Sequence, residues 1–240
     1  DCYAPAGIGI GNDFDHSYGD IAVDMEGRLE IISNSMDTLC IGGGYNEDDS
    51  EIDLRSGQIR IHMHSHNGLA IGSFNGDALI DISDKCKLEL TVSGIKVTGI
   101  GSCKGIATIS SSADIAISCT GAQAVAIGSL EDGEGSIYIK SGKLMMKMRS
   151  AKNSAIGAIK GNMNTRVENA DISIDSEGDE ITGIGDALGT GNVAIIDSAV
   201  TMKILAANPK DIGTGSGDLK IVNSTVSSLI NNKIITHSNI

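Results

Sequence analysis

Along the 240 residues of the chain, apolar and polar positions alternate in short bursts separated by Gly, Ser, Asn and Asp. One burst keeps returning: "LAIGSFNGD" begins at Leu69, "TGIGSCKG" at Thr98, "VAIGSLEDG" at Val125, "SAIGAIKGN" at Ser154 and "TGIGDALG" at Thr182. The Ile of each Ile-Gly step falls at Ile10, Ile41, Ile71, Ile100, Ile127, Ile156, Ile184 and Ile212, eight copies 27 to 31 residues apart. Self-similarity at such a period marks a repeat protein. Each copy carries two further period-2 runs: Ile52 and Leu54 then Ile59, Ile61 and Met63 in the second, Ile137 and Ile139 then Leu144, Met146 and Met148 in the fifth. Alternation of this kind predicts strands, so each repeat holds three.

Three strands joined by Gly, Ser, Asn and Asp corners in roughly 28 residues make one triangular coil. The expected fold is therefore all-β, a right-handed parallel β-helix of about eight three-stranded coils, with inward Ile, Leu, Val and Met stacked into ladders. Helical repeats need a 3.6-residue period, and leucine-rich repeats need fixed Leu and Asn spacing, neither of which occurs. The repeat runs from Ile10 to about Leu229 without a linker, which makes residues 1–240 a single domain. Residues 1–9 are expected to form a short N-terminal cap and residues 230–240 an irregular C-terminal end or a continuation. Two Pro and 31 Gly suit a fold whose strands need their N–H groups and whose corners need unusual φ.

No stretch approaches 18 consecutive apolar residues and no basic-then-apolar leader opens the chain, so neither a membrane span nor a signal peptide is expected. The first residue is Asp rather than Met, as in a processed or excised segment. A net charge of −13 argues against nucleic acid and anionic membranes as partners. Five cysteines, Cys2, Cys40, Cys86, Cys103 and Cys119, form no C-x-x-C motif. Only Cys86 and Cys119, about one coil apart, are placed to bridge adjacent coils, and the others read as small buried hydrophobes.

Strict alternation about an inward Ile puts Cys40, Gly42, Ala70, Gly72, Ala126, Gly128, Ala155 and Gly157 on the outside. Two readings of that row follow: a corner glycine with a small neighbour that relieves crowding, or a smooth stripe on which a polymer or another solenoid lies. A second column, Phe14, Tyr45, Phe74, Cys103, Leu130, Ile159 and Leu188, reads as an internal stack that closes the corner.

Acidic residues crowd the first loops, and Asp13, Asp15, Asp20, Glu47, Asp48 and Asp49 are candidate calcium ligands, although their spacing matches neither an EF-hand nor a Gly-Gly-x-Gly-x-Asp repeat. "RIHMHSH" puts His62, His64 and His66 at alternate strand positions, candidate ligands for a transition metal. Coil stacking places Glu30 and Glu89 beside Arg60, and Ile32 and Thr91 beside His62, so the expected contact is a cross-coil charge ladder at Arg60. No nucleophile elbow, phosphate-binding loop or zinc-protease motif is present. The outward basic residues Lys140, Lys147 and Arg149 lie several coils from the acidic loops, which weakens a polysaccharide-lyase reading.

The segments "TLCIGGGYNEDDSEIDLRSGQIRIHMHSHNGLAIGS" and "VAIGSLEDGEGSIYIKSGKLMMKMRSAKNSAIGA" resemble the glycine-rich Ile-Gly-Gly-Gly repeats of bacterial surface proteins, and the likeness covers nearly all of the chain. It implies a right-handed parallel β-helix with adhesive or carbohydrate-binding roles and brings no catalytic residues. The expected function is a non-catalytic extracellular or cell-surface solenoid acting as a structural, adhesive or self-assembling element. Its partners would be other copies, end to end or side by side, or an extracellular glycan. The alternative is a polysaccharide-binding or lyase-like protein that uses the acidic loops and calcium, the only cofactor either reading invokes. The end segment "SSLINNKIITHSNI", with Leu229, Ile230, Ile234 and Ile235 and little charge, suits end-to-end stacking.

Overall fold

A computed structural model of the protein describes residues 6–11, 19–43, 49–131 and 133–238; it is 81% strand and contains no helix among these residues. The strands begin with β1 (Ala6–Gly11), β2 (Gly19–Gly43) and β3 (Ser50–Ser73). Short and long strands then alternate: β4 (Ala78–Ile82), β5 (Cys86–Ser102), β6 (Ile106–Ser111), β7 (Asp114–Ser129), β8 (Gly133–Ile139), β9 (Gly142–Ala158), β10 (Gly161–Glu168) and β11 (Ala170–Ile184). The series ends with β12 (Val193–Ile196), β13 (Ala199–Ile212), β14 (Leu219–Val222), β15 (Thr225–Ile230) and β16 (Lys233–His237). All pairs are parallel except β15 with β16, and the stack is a β-solenoid of about seven turns.

The short strands β4, β6, β8, β10, β12 and β14 form the first face of their coils, and β3 itself opens on that face with Ser50–Leu54 beside β4. The long strands bend between the second and third faces, near His66 in β3 and Ile95 in β5 where the ladder bridges lapse, and so supply both of those faces. Inward side chains stack coil upon coil, as in the second-face column Ile31, Ile61, Leu90, Ile117, Met146, Ile174 and Met202. Burying each such side chain contributes about 2 kcal/mol, and because every rung touches only its neighbours the total grows with the number of coils. The eight Ile of the Ile-Gly steps form one unbroken third-face column from Ile10 to Ile212.

The glycine after each of these Ile residues stacks as well. Gly101 and Gly128 have φ of +139° and +136°, a region that L side chains avoid, and a Cβ on Gly101 would collide with the Gly128 carbonyl. The corner reading of the Ile-Gly row therefore holds. The smooth-stripe reading does not, because Cys40, Ala70, Ala126 and Ala155 are fully buried in the main core. The chain kinks between Cys40 and Ile41, so two consecutive residues point inward, and the Cys40 thiol lies 3.8 Å from the Met63 sulfur of the second face.

Cys86 and Cys119 are not rung neighbours: Cys86 lies beside Gly57, whereas Cys119 lies between Val92 and Met148, and Cys86, Cys103 and Cys119 are free thiols. Burial pushes the Cys103 and Cys119 thiols up to about 12, which leaves them protonated and unreactive. In the later coils, the corner between first and second faces is turned by Asn169, Asp197 and Asn223 in left-handed conformations near +48°. At the C-terminal end β16 folds back on β15, and the His237 ring stands 2.6 Å from the Asp211 carboxylate, which also accepts the Ile212 N–H.

Three glycine substitutions separate crowding from backbone strain. Gly101→Ala adds a collision to an unfavourable φ and is expected to cost about 3 kcal/mol. Gly213→Ala, at φ +119° with nothing near its Cβ position, should cost only the strain, about 1 kcal/mol. Gly27→Ala, in open space at ordinary φ, should be near neutral. Denaturant midpoints by circular dichroism give the order; equal loss at Gly101 and Gly213 would remove crowding from the account.

Candidate functional site

The kink at the Ile-Gly step decides what lies outside the third face. With Cys40 and Ile41 both inward, the outward residue is the one before them, and the column is Leu39, Leu69, Thr98, Val125, Ser154, Thr182 and Lys210. Over its early part the turn that follows the glycine folds back as an overhang. Phe74 packs on Leu39 and Leu69 beside Cys103, and Leu130 and Ile159 pack on Val125, in two clusters separate from the main core. Of the column read from sequence as an internal stack, Phe74, Leu130 and Ile159 are thus buried, yet outside the solenoid's lumen, and Cys103 is half-buried. Phe14 and Tyr45 lie outside the described residues.

Further along, the column turns polar at Ser154, Thr182 and Lys210, and the overhang ends in Leu188, 77% exposed. Overhang and sheet part to leave a groove of about 750 Å³ along the solenoid axis, within the range of small-ligand and oligomer sites. One wall is the rung-neighbour column Gln123, Lys152, Glu180 and Asn208, and the other carries Leu130, Glu131, Ile159, Lys160 and Leu188. At about 4.8 Å per rung these four coils give a groove about 15 Å long.

The groove concentrates positive charge in an acidic protein. Lys152 pairs with Glu180 at 2.9 Å, and Glu131 is held by Lys96 and, at 4.0 Å, by Lys104. The hydrogen bond from Lys96 is the main cause of a Glu131 carboxyl held below its ordinary 4.5, with Lys104 and Lys160 adding their charges. Lys160 has no carboxylate within ion-pair distance among the described residues, and Lys210 donates to the Ala187 carbonyl at 3.0 Å. The turn that bears Leu188 is pinned by Asp186, fully buried, which accepts the N–H groups of Ala158 at 3.0 Å and Met163 at 2.8 Å. Burial pushes that carboxyl up, while these amides oppose the shift.

A shallower depression of about 490 Å³ lies on the second face, floored by Ala116 and Ser118 between larger side chains. Its rim holds Arg60, His62, Glu89, Lys147 and Asp175. The expected registers hold there: Arg60 stands between Glu30 and Glu89, and His62 between Ile32 and Thr91. Arg60 pairs with Glu89, with Nε at 2.8 Å, while Glu30 turns to Arg28 at 2.6 Å. Arg149 takes Asp175 at 2.7 Å and Glu177 at 3.4 Å, and Lys140 reaches Asp81 at 3.8 Å.

Of the candidate calcium ligands, Asp13, Asp15, Glu47 and Asp48 lie outside the described residues. Asp20 sits beside Glu51, and with Asp49 and Asp77 both line a first-face depression. His62 and His64 share one strand face, and His64 Nδ1 lies 3.0 Å from the Ser93 hydroxyl. His66 stands at the corner beyond them. Among the described residues no three His, Cys, Asp or Glu side chains gather as a metal ion would need.

Comparison with protein-family models, with curated proteins and with solved structures finds no match to the chain. The groove escaped the sequence reading because its walls come from two columns that strict alternation treats separately. The sequence did show the apolar column Phe74, Leu130 and Ile159 after the steps, but strict alternation counts Leu39, Leu69 and Val125 as inward, and only the kink turns them out to be covered by it.

The depressed Glu131 carboxyl gives a test of the groove's electrostatics. Because its folded value lies below 4.5, the stabilisation is present above that pH and lost as pH falls through the lowered value. In a carboxyl-carbon NMR titration, Lys96→Met should raise the Glu131 midpoint toward 4.5, whereas Lys87→Met on the second face should leave it unchanged. An unmoved midpoint in Lys96→Met would refute the assigned cause.

Proposed function

We propose that the chain is a non-catalytic β-solenoid of the glycine-rich Ile-Gly-Gly-Gly repeat type, working outside the cell or on its surface as a structural and adhesive element. The observation that carries the reading is how the groove's acids and bases are used. Glu180 and Glu131 are neutralised by Lys152, Lys96 and Lys104, and Glu131 is shifted toward the ionised form, the reverse of what a general acid needs. Stacked coils in fixed register, with charged columns along a groove, suit holding a long partner.

A second reading keeps one specific support. Lys147 shares the second-face depression with Glu89 and Asp175, a base beside acids in one concavity, as a polysaccharide lyase would require. Incubation with pectate and alginate, with calcium and with a chelator, separates the two. The adhesive reading expects retention of the chain on the immobilised polymers and no growth of ultraviolet absorbance from unsaturated uronide ends. Absorbance that grows, and is abolished by Lys147→Ala, would establish the lyase instead.

A further inference from the structure

We propose that the third-face groove binds a linear acidic polysaccharide, one carrying carboxylate or sulfate groups, and that lysines rather than calcium hold it. The inference rests on the adhesive reading above and names the ligand for its groove. Charge comes first. The protein as a whole carries −13, yet the groove walls hold Lys152, Lys160 and Lys210 against Glu131 and Glu180, and Lys96 and Lys104 already serve Glu131. At physiological ionic strength fields fade over about 8 Å, so a ligand in the groove meets these lysines and not the acidic first coils. Among the described residues Lys160 in particular has no carboxylate partner, and a bound carboxylate or sulfate would give it a charge-assisted hydrogen bond.

Shape and polarity narrow the class. The walls differ: Ile159 and the exposed Leu188 make an apolar side, and Gln123, Lys152 and Asn208 make a hydrogen-bonding side. A pyranose chain presents C–H faces on one side and hydroxyl and acid groups at its edges, which matches both walls at once. An acidic peptide fits less well, because the floor is the surface of a sheet and not its edge, so it offers no row of free backbone groups for strand addition. Nucleic acid fits worse: among the described residues no aromatic side chain lines the groove for base stacking.

The full chain is titrated calorimetrically with a galacturonic acid oligomer in a chelator. A neutral galactose oligomer of similar length and poly-glutamate serve as comparisons. Binding of the acidic glycan alone is expected, weakening as salt rises. Lys160→Glu should weaken it about tenfold or more and Lys160→Arg should largely preserve it, while Lys220→Glu, away from the groove, should leave it unchanged. Lys160 is exposed, so its variants are expected to fold, and circular dichroism verifies this.

Calcium-dependent binding, equal binding of the neutral oligomer, or indifference to Lys160→Glu would overturn the proposal while leaving an adhesive solenoid with a different surface. Tighter binding of poly-glutamate would replace the glycan with an acidic protein. No binding to any of the three would overturn this ligand; loss of the adhesive reading as well would further require no retention on any immobilised polymer.

Discussion

The third face depends on one close approach: the α-carbon of each step glycine lies against the carbonyl of the glycine one coil on, from Gly11 through Gly185 to Gly213. No side chain fits there, and the backbone takes a φ that only glycine adopts cheaply. That contact fixes where the strand kinks. The kink puts two successive residues inward, which forces the first to be small, since its side chain meets a second-face core residue such as Met63. It also sends the following turn back over the outside of the sheet. Local backbone geometry at one position per coil thus determines core composition, overhang and groove together.

Period and alternation made much of this legible. Once the Ile-Gly spacing sets the coil length, the partner of every strand residue follows by subtraction, which is why Arg60 could be placed beside Glu30 and Glu89 and the Ile column drawn unbroken. Register is robust in a solenoid because a slip of one residue would turn whole ladders inside out. What spacing cannot supply is the direction of a side chain at a kink. Strict alternation put Ala70 and Ala126 outside, whereas the kink buries them, and a surface stripe inferred from them became part of the core.

The same limit explains the candidate sites. Neighbours within a column are readable, so the Arg60–Glu89 pair could be anticipated, although its choice of Glu89 over Glu30 turns on Arg28 competing for Glu30. Neighbours across columns depend on how far a turn travels before the next strand. Lys96 and Glu131 are 35 residues apart, more than one coil, and meet only because the overhang returns across the third face. Cys86 and Cys119 are 33 apart, a comparable distance, and do not meet, because one opens the second face and the other closes it.

This contrast bears on how a solenoid of this kind acquires function. The stacked Ile and Gly columns constrain almost every inward position, and changes there are felt by both adjoining coils. The overhang is held by fewer contacts: Leu130 and Ile159 on Val125 in the middle coils, and farther on the Asp186 carboxylate bound to the amides of Ala158 and Met163. Replacing cluster packing by that pinned turn is what lifts Leu188 away from the sheet and opens the groove. Variation confined to the turn can therefore widen, close or recharge the groove while the ladder beneath it stays intact, so the rigid part of the molecule carries the site and the adaptable part shapes it.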